Sequence, residues 1–171
     1  MIRTSTKGSS TTHGSGDDGE LIFRTQLLED MLGRQDFDRC IQMANEENPF
    51  FGAELSDSFD MYLEMESQET LKLFVAQTKY NEVVGVSMHC LWDHPHLDTG
   101  LHSSQIVEWL DGKYRLGSNG LRMLRFADDQ LKECGVRYIH RMAPTYSPQW
   151  GKILERLGHE EIETLWVKEV F

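Results

Sequence analysis

The chain reads as an α/β (α+β) domain, a central mixed and mainly antiparallel sheet flanked by helices. Three observations lead there. Strand-like and helix-like segments follow one another as strand, helices, hairpin, strand, glycine loop, helix, strand, helix, strand. Two apolar runs, 70–78 and 83–91, are separated only by the polar turn Lys79-Tyr80-Asn81-Glu82, which predicts an antiparallel hairpin. Two helices carry their own punctuation: one stops at Cys134-Gly135, and another starts at Ser147-Pro148 and is closed by Gly158.

A length of 171 residues suits one domain with a proper core. Hydrophobic content of 39% and charged content of 26% fit a globular chain, and no apolar run approaches the length of a membrane span. The net charge of −11 argues against nucleic-acid binding, which needs a basic face. It admits a cationic partner, an amine or a basic protein surface, although solubility is the plainer use of such charge. Cys40, Cys90 and Cys134 are odd in number and widely spaced, and the start lacks an apolar signal segment. Both features predict a cytoplasmic protein with reduced thiols. Residues 1–18, rich in Ser, Thr and Gly, are expected to be a disordered tail before a single domain at 19–171.

Residues 21–25 predict a first strand. Leu28, Met31 and Leu32, then Phe37, Ile41, Met43 and Ala44, recur at helical spacing with a break at Gly33. Pro49 ends that stretch. Ser56 is a candidate cap for a helix with Phe59, Tyr62, Leu63 and Met65 on its apolar face. In the second hairpin strand Gly85 marks a bulge or a close backbone approach. Residues 92–105 read as a loop rich in His, Asp and Gly, followed by a short strand at 106–110. The helix from about Asn119 carries Leu121, Leu124, Ala127 and Leu131 on one stripe. Strands are expected at 136–142 and 162–171, with Trp150, Ile153, Leu154 and Leu157 facing inward between them.

The segment from Glu108 through Lys113, Arg115, Gly117 and Gly120 to Leu124 leads from an apolar strand through a glycine loop into a helix. Free N–H groups and the helix dipole make such a junction an anion site, with Arg115 and Lys113 as extra counter-charge; a mere corner turn uses the same glycines. The run Arg115-Leu116-Gly117-Ser118-Asn119-Gly120 resembles the pyrophosphate loop of the GNAT N-acetyltransferase superfamily, Arg/Gln-x-x-Gly-x-Gly/Ala. Ser118 stands where the first glycine is usual. The run from Arg137 to Met142 resembles the family's fifth strand, and that from Ser147 to Glu160 resembles its fourth helix and "Leu-Gly-Phe-Glu" ending.

The resemblance implies an acetyl-CoA-dependent N-acetyltransferase that moves an acetyl group to an amine, small molecule or protein, by direct attack. Acetyl-CoA would enter between splayed fourth and fifth strands. Backbone near Trp109, Leu110 and Asp111 would meet its pantetheine arm, and N–H groups of Arg115, Leu116, Gly117, Ser118, Asn119 and Gly120 its pyrophosphate. Glu108, a carboxylate within an apolar strand, is the first candidate for general base, its pKa raised by burial; pairing with an arginine is the competing role. Asp111 is the second candidate.

The family's usual acid, a tyrosine, would fall at Leu154, so Tyr146 is the candidate substitute. Ser147 is a pantetheine contact, a helix cap, or both. His89, Cys90, Asp93, His94, His96, Asp98 and His102 include zinc-ligand types, but match no zinc spacing, and adjacent His89 and Cys90 point to opposite faces of a strand, so no metal is expected. His94, His96, Trp92, Phe50 and Phe51 are candidates for acceptor recognition, with core packing favoured for the aromatics. The departures at Ser118 and Leu154 leave a second reading: a divergent, phage-type GNAT-fold interaction protein that docks on and modulates another protein.

Overall fold

The computed structural model describes residues 20–47, 59–93, 100–115, 117–143 and 148–162. Among them the sheet has five strands in the order β1 (Ile22–Gln26), β2 (Leu71–Gln77), β3 (Val83–Asp93), β4 (Leu101–Leu110) and β5 (Tyr138–His140). Neighbours from β1 to β4 are antiparallel, and β5 lies parallel to β4. The helices are α1 (Leu28–Met31), α2 (Gln35–Glu47), α3 (Asp60–Ser67), α4 (Asn119–Glu133) and α5 (Pro148–Arg156).

Alternation along the strands sends side chains to two cores. On one face Leu73, Val75, Val86, Met88 and Trp109 meet Leu28 and Met31 of α1 and Phe37, Cys40, Ile41 and Ala44 of α2. On the other, Phe74 and Leu91 meet Ala127 and Leu131 of α4. Burying a side chain the size of Phe37 or Phe74 contributes roughly 1.5–3 kcal/mol.

Local chemistry fixes the joints. Gly33, at φ +78°, makes the break between α1 and α2 that few other residues adopt cheaply. Just after it, the Asp36 carboxylate accepts from Arg34 Nη2 at 2.8 Å, Phe37 N at 3.0 Å and Val83 N at 2.8 Å. It thereby ties the start of α2 to the start of β3. Glu66 of α3 accepts from the N–H groups of Leu28 and Glu29 and so caps α1 with a negative charge.

Gly85 does both things expected of it. Ala76 pairs with Gly85 but Gln77 with Val83, so Val84 is an extra residue. A Cβ on Gly85 would sit 2.7 Å from Leu110 Cδ1 and 3.1 Å from the Trp109 carbonyl oxygen.

Two strand lengths differ from expectation. Of the loop read at 92–105, the described residues are largely strand: β3 runs on to Asp93, and β4 begins at Leu101. Its polar residues satisfy one another, Trp92 Nε1 donating to Ser104 Oγ at 2.8 Å. A hydrophobic pattern does not register such a ladder. β5 holds only Tyr138–His140 of the predicted 136–142. Residues 1–18, the Ser56 cap and 163–171 of the last expected strand lie outside the described residues, and Ile162 is exposed and not in a strand.

Arg34 and the two backbone donors hold the Asp36 carboxyl well below its ordinary value, at about 2. A depressed carboxyl contributes fully above its unfolded value and loses its contribution as pH falls through the folded one. Asp36→Asn is expected to lower stability by about 1–2 kcal/mol at neutral pH. The gap to the parent should close near pH 2, as urea titrations at several pH values would record. Gly85→Val should destabilise by about 1–3 kcal/mol through overpacking against β4, measurable in the same titration.

Candidate active site

β4 and β5 share three paired positions: His102 with Tyr138, Ser103 with Ile139, and Ser104 with His140. After His140 the chain leaves the sheet, while β4 continues to Leu110. Residues 105–110 of β4 therefore have no strand on that side among the described residues. A bulge lies at the start of this length: His89 pairs with Gln105 and Met88 with Val107, which leaves Ile106 as the extra residue. Bulges take backbone groups out of the ladder and re-aim side chains.

Glu108 stands in the unpaired length, its side chain 3% exposed. Its Oε2 accepts from Ser87 Oγ at 3.0 Å and from Arg141 Nη1, and lies 3.8 Å from His89 Nε2. Its Oε1 is buried and has no partner among the described residues. Arg141, whose side chain is fully buried, reaches Asp128 of α4 with its other terminal nitrogen. His89 Nδ1 shares a hydrogen bond of 2.9 Å with Ser103 Oγ. At the far end His159 Nε2 lies 3.9 Å from Asp128, and burial lowers its pKa against the pull of that carboxylate.

At the other end of β4, Asp111 caps a short 3-10 turn at Gly112–Tyr114 by accepting from Lys113 N at 3.1 Å. It also accepts from Arg39 Nη2 at 2.8 Å. Arg115 folds back: its Nε donates to the Leu110 carbonyl and its Nη2 to Glu47. Lys113 Nζ is 3.7 Å from Asp111 Oδ2. The two basic side chains read as counter-charge for a phosphate are thus already paired with carboxylates. Arg115 N donates to the Gly112 carbonyl.

What the loop leaves is the start of α4. The first helical bond there is Arg122 N to the Ser118 carbonyl at 2.8 Å. By helix geometry the N–H groups of Asn119, Gly120 and Leu121 precede it and have no intrahelical acceptor. Gly117 turns at φ +71°, and a Cβ on Gly120 would meet nothing within 4 Å. The first turn of α4 holds no acidic residue. These features fit a pyrophosphate.

Leu116, Tyr146 and Ser147 lie outside the described residues, as do His94, His96, Asp98, Phe50 and Phe51. Leu154 is buried. His89 and Cys90 do point to opposite faces: His89 meets Ser103 and Phe74, and Cys90 donates to the Ser104 carbonyl. Among the described residues no group of three or more His, Cys, Asp or Glu side chains is placed to hold a metal ion. Burial pushes the Cys40 thiol up to about 12, which excludes it as a thiolate nucleophile.

The sequence reading passed over Arg141 and Asp128. One signal was available: an arginine inside a predicted strand, adjacent to another predicted strand with a lone carboxylate.

No protein-family model matches the chain, and no curated protein sequence does. Solved structures do. An aminoglycoside acetyltransferase from an uncultured soil metagenomic sample superposes with a TM-score of 0.70 at 13% identity, over 88% of this chain and 97% of that one. A ribosomal-protein-alanine N-acetyltransferase from Brucella melitensis biovar Abortus 2308 gives 0.64 at 12% identity, over 89% and 100%. A predicted acetyltransferase from Clostridium acetobutylicum, solved with acetyl-CoA, gives 0.63 at 14% identity, over 88% and 96%. The fold is that of the GNAT acetyltransferases, as the loop and its flanks implied.

Among the described residues, removing Glu108 would leave the buried Arg141 with only Asp128 as an ion-pair partner. Glu108→Ala is expected to destabilise the protein by roughly 3 kcal/mol. Asp128→Ala, at a side chain 23% exposed, should cost less, about 1–2 kcal/mol. Urea denaturation compares the two.

Proposed function

We propose that the chain is an acetyl-CoA-dependent N-acetyltransferase acting on an amine by direct attack. The observation that carries this reading is that residues 105–110 of β4 have no strand beside them on the β5 side among the described residues, and that the chain runs from this strand end to the start of α4, whose first N–H groups have no intrahelical acceptor. The acetyl-CoA-containing Clostridium structure, similar in fold, supports it.

In this reading the N–H groups around Gly117, Ser118, Asn119 and Gly120 hold the pyrophosphate. The pantetheine arm runs past Leu110 and Asp111 toward the bulge. Glu108 takes a proton from the acceptor ammonium through Oε1. The neutral amine then attacks the thioester carbonyl carbon, and backbone donors along the unpaired edge of β4 stabilise the oxyanion. The C–S bond breaks as the C–N bond is completed, the nitrogen gives its second proton to solvent, and the departing thiolate takes a proton, for which Tyr146 is the candidate donor. Ser147 is the candidate second contact for pantetheine. No covalent enzyme intermediate is needed.

Calorimetric titration with acetyl-CoA, with CoA as control, tests the cofactor half. Binding in the micromolar range is expected, about −8 kcal/mol. It should be lost in Gly120→Trp, a substitution that meets no protein atom at its Cβ and so reports on the ligand. Release of CoA with a panel of primary amines tests the chemistry. Binding of neither acetyl-CoA nor CoA would move the reading to the GNAT-fold interaction protein, and its target would be sought by pull-down.

A further inference from the structure

Glu108 is held in an unusual way. Three groups crowd its Oε2: Ser87 Oγ, Arg141 Nη1 and His89 Nε2. Its Oε1 has none among the described residues. A guanidinium and a carboxylate commonly meet through two parallel bonds that engage both oxygens. Here the fork is divided between two carboxylates, Nη1 to Glu108 and Nη2 to Asp128, while Arg141 Nε is buried without a partner among the described residues. Buried ion pairs are weak sources of stability, because desolvation offsets their attraction. Among the described residues this one leaves one carboxylate oxygen, one guanidinium N–H and one imidazole nitrogen without a hydrogen bond.

We propose that Arg141, itself anchored by Asp128, is a positioning residue for acetyl transfer: it grips Glu108 by Oε2 so that Oε1 stays available to the acceptor's proton. The inference rests on the reading in which Glu108 is the base. Arg141 does this from beyond the end of β5, while Asp128 lies on α4. The clasp therefore spans the place where β4 and β5 part. The groups facing Glu108 are Ser87 and His89 from β3 and Arg141; Asp128 and His159 act on it through Arg141.

The test is steady-state CoA release from acetyl-CoA with the primary-amine panel, as a function of pH, for the full chain and the variants Arg141→Gln, Arg141→Lys and Asp128→Asn. Arg141→Gln is expected to lower kcat by about tenfold or more and leave the KM for acetyl-CoA nearly unchanged. Its pH–kcat profile should also differ from the parent's. Arg141→Lys should restore part of both effects, because it returns the charge without the fork. Should Arg141→Gln fail to fold, Asp128→Asn reads the same two effects at smaller size from a partly exposed position. A folded variant with the parent's kcat and pH profile, or a loss confined to acetyl-CoA KM, overturns the positioning role alone. A parent that binds acetyl-CoA but releases no CoA with any amine overturns the enzymatic reading, and the positioning role falls with it.

Discussion

A guanidinium divided between two carboxylates sits where the sheet opens. Arg141 joins Glu108 on β4 to Asp128 on α4. A buried charge needs a partner, since unpaired it would carry several kcal/mol of desolvation. That requirement fixes how far α4, β4 and the chain after β5 can separate. β5 pairs with β4 over three positions and then departs, so the clasp supplies a cross-link where backbone hydrogen bonds stop.

The same economy of charge appears at the loop. Arg115 and Lys113 are basic residues beside the glycine loop read as an anion site, yet Glu47 and Asp111 already engage them. In the proposed reading any hold on a phosphate rests on backbone N–H groups and the dipole of α4, which are oriented by the helix itself and need no flexible side chain to be ordered. Arg115 instead braces the end of β4, through the Leu110 carbonyl and the Trp109 ring, whose centroid is 5.7 Å from its guanidinium carbon. Asp111 likewise joins β4 to α2 through Arg39. The strand end and the helix start are thus held by ordinary packing and ion pairs, with the N–H groups left over.

Much of the architecture was legible residue by residue. Gly33 marked the break between two helices, the turn at 79–82 marked the hairpin, and Gly135 and Gly158 marked helix ends, because each depends on a backbone preference within a few residues. Gly85 announced both a bulge and a close approach. The strand segment at 101–105 was not legible, because His102, Ser103 and Ser104 are polar residues whose side chains hydrogen-bond to His140, His89 and Trp92 of neighbouring strands. The candidate site was half legible. Glu108 stood out as a carboxylate in an apolar run, and the glycine loop as a helix start, but neither gave the geometry around it.

By itself the sequence determined the order of elements from β1 to α5, the hairpin and the ends of α4 and α5, all of which follow from local conformational preferences and hydrophobic period. The tertiary structure alone decided the partners of the charges. Glu108 meets an arginine 33 positions away, and Arg115 a glutamate 68 positions away. Such pairings depend on which strand edges and helix faces come together, and no local preference encodes them.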